Sequence, residues 1–274
     1  QSAIGDWLKC NAKFPSGMGE LAAAIRGSGF QPGLWLAPFI CERRSQIYRE
    51  KPEWLLRDRR GRPVKAGYNP NWSGWFYALD FYAPGFQDYL SRVFENIQEE
   101  WGYRLLKLDY LYAAALLPRQ GKPRSAVMIE ALEFIRAQTK KCKLLGCGVP
   151  LGPAMGRVDY CRIGSDVAPF WDLPLAGLNC RERYSTANSL RSTIGRHHLD
   201  RQAFRNDPDV FILRDGRRGV NLNRLNWQQR KTLFFLNHLL GGLVFFSDDP
   251  AEYTAAQMQL LRSAFPSIDS EINR

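Results

Sequence analysis

No run of 18 consecutive apolar residues occurs in these 274 residues, so the ordinary membrane-spanning helix is excluded. No charged-then-apolar segment marks an export signal at the N-terminus. The six cysteines, Cys10, Cys41, Cys142, Cys147, Cys161 and Cys180, include no CxxC pair and no Cys/His spacing typical of zinc. They read as reduced thiols of a cytoplasmic protein. No GxGxxG follows the first strand and no P-loop occurs, which removes the two commonest nucleotide-binding signatures. Neither a cofactor nor a metal is expected.

Basic charge, by contrast, is abundant, with a formal net charge of +11. Clustered Lys and Arg would point to phosphate binding. Here they are dispersed among separate segments: Arg43 and Arg44, Arg57 to Arg62, Lys140, Lys141 and Lys143, and Arg214 to Arg218. Neither nucleic acid nor a membrane is expected as a partner.

With 45% hydrophobic residues the chain can bury a large core, and residues 1–274 are expected to form one barrel-sized catalytic domain. Its organising stretch is Leu105-Leu-Lys-Leu-Asp-Tyr110, a buried strand whose Lys107 and Asp109 project to one face. Two charges on a core-facing side either pair with each other or do chemistry. Around this strand, helices are expected at 18–28, with Leu21, Ala24 and Ile25 on one face, and at 84–101, 123–141, 183–198, 226–240 and 250–264. Strands are expected at 33–39, 144–148, 158–163, 209–214 and 242–247. The segment from Cys41 to Pro84 is aromatic-rich without regular periodicity and reads as a long functional loop, suited to stacking on sugar faces or to being held by its own rings.

Short apolar strands alternating with helices argue for a parallel sheet covered on both faces. Lys107, Asp109, Cys147, Asp166, Asp248 and Asp249 lie at or just beyond the C-terminal ends of separate strands. In a (β/α)8 TIM-type barrel those ends converge on one mouth, so the expected fold class is α/β, a barrel present as about six βα units. Asp109 and Asp166 then suggest the paired carboxylates of glycoside hydrolysis, with Trp35 as part of a sugar-binding wall; on pattern alone they could equally hold a divalent cation. Arg162, four residues before Asp166, would lower the proton affinity of an adjacent acid, so it is assigned to substrate hydroxyls rather than to Asp166. His197 and His198 sit where a helix dipole favours them. Asp248-Asp249-Pro250 reads as a helix N-cap rather than a metal site.

Five linked stretches carry a family resemblance: the run from Gly5-Asp-Trp7 to Pro38-Phe39, then LLKLDYLY, RIGSDVAPFW, NDPDVFILR and GGLVFFSDD. In this order they resemble the catalytic barrel of melibiase-type α-galactosidases, glycoside hydrolase family 36 and its clan relatives. The resemblance implies a retaining hydrolase acting on terminal α-linked galactose or a related sugar, with Asp109 as nucleophile and Asp166 as general acid/base. It implies substrate contacts from Trp35, Lys107, Cys147, Arg162 and, more weakly, Asp209, which the strand reading makes structural. By the family pattern two barrel strands would precede Gly5, and many members carry acidic residues after the strand tryptophan, where this chain has Ala37-Pro38-Phe39. The partner expected is an α-galactoside or related carbohydrate, with a possible homo-oligomer. The alternative is a catalytically incomplete fragment that acts as a sugar-binding or structural module.

Overall fold

The computed structural model describes residues 3–172, 184–216 and 223–265. Cys180, Arg217, Arg218 and the first residue of the helix expected at 183 lie outside them. The chain divides into two compact units, 1–159 and 160–274.

The first unit begins with helix α1, Gly17–Gly27, followed by strands β1, Gly33–Leu36, and β2, Ile40–Glu42. The helix stops where Gly29 turns left-handed and Phe30 N–H returns to the Ile25 carbonyl. Its buried residues are Met18 and Ala22, while Ala24, expected inside, is exposed. A short helix α2, Gln46–Glu50, leads to strands β3, Lys65–Asn69, and β4, Gly74–Ala78. Helix α3, Phe86–Glu95, continues as a π-helical turn, Asn96–Glu100, and buries Phe86, Tyr89, Leu90, Val93, Phe94 and Ile97 as its spacing predicts. Strand β5, Leu105–Leu108, helix α4, Arg124–Gln138, strand β6, Lys143–Gly146, and helix α5, Leu151–Ala154, complete the unit. Helix α4 buries Val127, Met128, Ala131, Leu132 and Ile135, and ends at Thr139, whose hydroxyl returns to the Ile135 carbonyl.

Strands β1, β5 and β6 form parallel ladders in which Trp35 stands beside Lys107, and Lys107 beside Leu145. The strong burial of Leu36, Leu106, Leu108, Leu144 and Leu145 explains why these short strands read as continuous apolar runs.

The segment 41–84, expected to be irregular, is instead ordered by a three-stranded antiparallel sheet in the order β2-β4-β3. Its aromatics do hold it down. Phe76 fills the space beside Gly67, where an added Cβ would lie 2.4 Å from the ring, and Trp54 packs against Phe86 and Tyr89. The turn signals at Asn69 to Gly74 are used as turns, with Asn69 Oδ1 accepting from Asn71 N–H at 2.9 Å.

The second unit holds strands β7, Tyr160–Arg162, helix α6, Thr186–Arg196, strands β8, Arg205–Asp207, and β9, Val210–Phe211, helix α7, Trp227–Leu240, strand β10, Phe245–Phe246, and helix α8, Ala255–Arg262. β7 pairs with β8, and β9 with β10, all in parallel. The strand expected at 209–214 is present but shortened to Val210–Phe211, with a separate strand, β8, just before it. Pro208 removes a ladder donor, Asp209 turns to φ +77°, and the regular segments fall on either side. Phe211, Leu213, Leu225, Leu233, Phe234 and Leu261 form this unit's core. Asn226 and Thr254 cap α7 and α8 through full capping boxes.

Candidate active site

In the first unit the site grows from the end of β5. Asp109 follows the strand by one residue, and its backbone N–H still donates to the Leu36 carbonyl of β1 at 2.9 Å. Its half-buried carboxylate accepts one bond on each oxygen: Tyr110 N–H on Oδ1 at 2.7 Å and Trp35 Nε1–H on Oδ2 at 3.0 Å. Neither bond comes from Lys107, so the Lys-Asp pair that the strand pattern allowed is not what holds Asp109. Trp35 is fixed from behind by Trp7, edge to face at 5.9 Å between centroids. Trp35 and Lys107 are neighbours by register, which gathers three of the expected site residues on the two adjacent strands.

Cys147 is buried just past β6 and contributes through its backbone: its N–H donates to the Leu108 carbonyl at 2.8 Å, and its carbonyl accepts from Leu111 N–H at 3.3 Å. Cys10, Cys41, Cys142 and Cys161 are free thiols.

In the second unit Arg162 is the centre. Its side chain is almost wholly buried, and it faces three carboxylates: Nε to Asp207 Oδ2 at 2.9 Å, Nη1 to Asp166 Oδ1 at 2.7 Å, and Nη2 to Asp209 Oδ1 at 2.8 Å. This corrects the expectation that Arg162 would not meet Asp166 directly. Two buried carboxylates share its charge, so it approaches Asp166 without being a cation aimed at that acid alone. Asp166 is open, with 68% of its side chain exposed, whereas Asp207 is fully enclosed.

Asp209, expected as a weak sugar contact, has both oxygens engaged by the protein, Oδ1 by Arg162 and Oδ2 by Val167 N–H at 2.7 Å. Burial pushes its carboxyl above the ordinary range, with the Arg162 guanidinium and the Val167 amide pulling the other way. Asp207 escaped the sequence reading altogether. Its Oδ1 accepts from Asp209 N–H at 2.8 Å, so it braces both Arg162 and the left-handed turn. The signal was present in the Asn206-Asp-Pro-Asp209 repeat of acids around a proline. Tyr184 also lies near this group; burial first, then the charges of Asp166 and Asp209, raise its phenol.

Asp249 caps a 3-10 turn through Ala251 N–H as expected, but Asp248 does more. Its buried carboxylate accepts from Leu213 N–H, Arg214 N–H and the Tyr253 hydroxyl, and pairs with the Arg214 guanidinium. His197 Nδ1 lies 2.7 Å from the Ile194 carbonyl at the end of α6, in keeping with the dipole reading. Among the described residues no group of three or more metal-ligating side chains is placed to hold a metal ion, and no helix is long and apolar enough to cross a membrane.

These elements define a βα-barrel protein with carboxylates at strand ends, the class expected from the sequence, and solved structures of that class share its fold. TtGalA, an α-galactosidase from Thermus thermophilus, superposes with a TM-score of 0.84 at 35% identity over 96% of this chain and 52% of that one. The α-galactosidase from Lactobacillus brevis gives a TM-score of 0.62 at 17% identity, over 95% of this chain and 33% of that one, a likeness of fold alone.

Residues 1–128 match the Melibiase family profile, and α-galactosidase AgaA of Geobacillus stearothermophilus is 30% identical over 95 residues, 35% of this chain and 12% of that protein. α-Galactosidase 1 of Pediococcus pentosaceus is 26% identical over 153 residues, 50% of this chain and 19% of that protein. The match to the Melibiase profile is thus confined to residues 1–128, while the likeness of fold to TtGalA extends over 96% of this chain. It spans about half the length of TtGalA and a smaller share of the curated relatives.

Proposed function

We propose that this chain carries the catalytic machinery of a retaining α-galactosidase. Asp109 is the nucleophile: it attacks the anomeric carbon of a terminal α-linked galactose while Asp166 donates its proton to the leaving oxygen. Asp166 then takes a proton from water, which attacks the galactosyl-enzyme ester and frees Asp109. Both steps pass through oxocarbenium-like transition states, and the substrate retains its anomeric configuration.

The observation that carries this reading is the condition of Asp109. Each of its oxygens is held by one N–H donor at the end of a parallel strand, which fixes its orientation without covering it. Asp166 is exposed and held by one oxygen, as suits a group that must gain and lose a proton. Trp35, Lys107, Arg162 and Cys147 are assigned to the surroundings of the sugar. TtGalA, solved with p-nitrophenyl α-D-galactopyranoside and with stachyose, supports α-galactosides as the substrate class.

The test is hydrolysis of an aryl α-galactoside by the wild-type chain and by Asp109→Asn and Asp166→Asn variants. Turnover is expected to vanish with the first. With the second it should survive best on substrates whose leaving group needs no protonation. Turnover by folded Asp109→Asn would remove Asp109 from the nucleophile role.

A further inference from the structure

Tyr110 stands directly after Asp109 with φ +52° and ψ +32°, the left-handed region that bulky residues avoid. A strained backbone persists only where its surroundings over-determine it. Here they do so from three sides. The ring is wedged between Trp72 and Phe76 of the β2-β4-β3 segment, with centroids 5.7 and 5.2 Å away, and meets Tyr112 at 6.2 Å. Gly148, itself left-handed, backs against the Tyr110 main chain, where a Cβ would lie 3.3 Å from both its N and Cα. Tyr112 N–H donates to the Gly148 carbonyl at 2.8 Å and Leu111 N–H to the Cys147 carbonyl at 3.3 Å, so the loop after β6 grips the residues that follow.

The consequence of this turn is the direction of one amide: Tyr110 N–H points back to Asp109 Oδ1 at 2.7 Å. We propose that Tyr110 is a positioning residue, whose aromatic ring, caged by Trp72 and Phe76, locks a left-handed turn that aims its own amide at the Asp109 carboxylate and sets the angle of attack. The proposal deepens the function proposed above and, in its kinetic part, rests on it. It also gives the aromatic segment a task that neither stacking on sugar nor simple anchoring describes, since its rings act on the nucleophile through the backbone of Tyr110.

Tyr110→Ala and Tyr110→Gly in the full chain separate this role from mere packing. Both remove the ring and both lower the melting temperature, but only glycine adopts the left-handed turn freely. With alanine the turn relaxes and the amide leaves Asp109. kcat on an aryl α-galactoside is expected to fall about 100-fold with KM changed less than about threefold, and glycine to recover at least about tenfold of that loss. A readout independent of turnover is the amide resonance of residue 110. In the wild type it lies downfield of its place in Asp109→Asn; glycine keeps that position and alanine loses it.

Equal behaviour of the two variants in both readouts would overturn the proposal, as would an unchanged resonance in Asp109→Asn, which requires neither ring variant to fold. If the wild type hydrolyses no α-galactoside, the proposed function fails while the resonances still decide the turn's role.

Discussion

Asp166 and Asp207 pair with the same guanidinium at nearly the same distance, 2.7 and 2.9 Å, yet their replacement should have very different consequences. Asp207 is fully buried, and each oxygen accepts a bond, from Arg162 Nε and from Asp209 N–H. Asp207→Asn keeps the volume but turns an amide nitrogen toward one of those donors. It also leaves a buried guanidinium with less countercharge, a change that costs about 3 kcal/mol for a buried pair. Asp166 is 68% exposed, and water replaces what Asp166→Asn removes, so its cost should stay below about 1 kcal/mol. In urea melts followed by circular dichroism, with a slope of about 3 kcal/mol per molar, the midpoint should fall by about 1 M for the first and by less than about 0.4 M for the second. Equal shifts, or a larger one for Asp166→Asn, would refute the argument that burial rather than contact sets the value of these pairs.

Three further outcomes follow from the same geometry. Trp35→Phe keeps a ring against Trp7 but deletes the donor to Asp109 Oδ2, and kcat for aryl α-galactoside hydrolysis should fall about tenfold through lost orientation. Gly67→Ala would place a Cβ 2.4 Å from the Phe76 ring, and should cost about 1–3 kcal/mol in a urea melt as that ring is displaced from Tyr110. Asp209, whose carboxyl burial raises, contributes stability that is full below the ordinary carboxylate range and is lost as pH rises through its elevated folded value. The destabilisation caused by Asp209→Asn should therefore shrink as urea melts are moved from about pH 3.5 toward neutrality; a penalty that grew with pH would contradict the direction.

The parts legible in the sequence are those governed by period and burial. Strand β5 reads from its leucines, α3 from six apolar positions at helical spacing, and the α7 start from Asn226, three residues before Gln229. What escaped was set by partners distant in the chain. The β2-β4-β3 sheet shows no clean alternation because Phe76, Tyr77 and Ala78 are buried in succession, while a register shift between Lys65 and Gly67 breaks the period of two. The α1 face was misjudged by Ala24 because a helix short of strong apolar residues carries little phase information.

At the site, Asp109 and Asp166 could be singled out as charges at strand ends. The arrangement around Arg162 could not, because Asp207 and Asp209 lie 45 and 47 residues further on, and local spacing is silent on which carboxylate a buried guanidinium will meet. Likewise, no residue type announces the left-handed turn at Tyr110; tyrosine argues against it, and only the rings and Gly148 packed around it explain its presence.

The most direct test of retaining α-galactoside hydrolysis through Asp109 is the anomeric configuration of the first sugar released. Proton NMR of a p-nitrophenyl α-D-galactopyranoside digest should show α-galactose appearing before mutarotation, and no sugar from Asp109→Asn. Initial release of β-galactose, or release undiminished in the folded variant, would contradict the account.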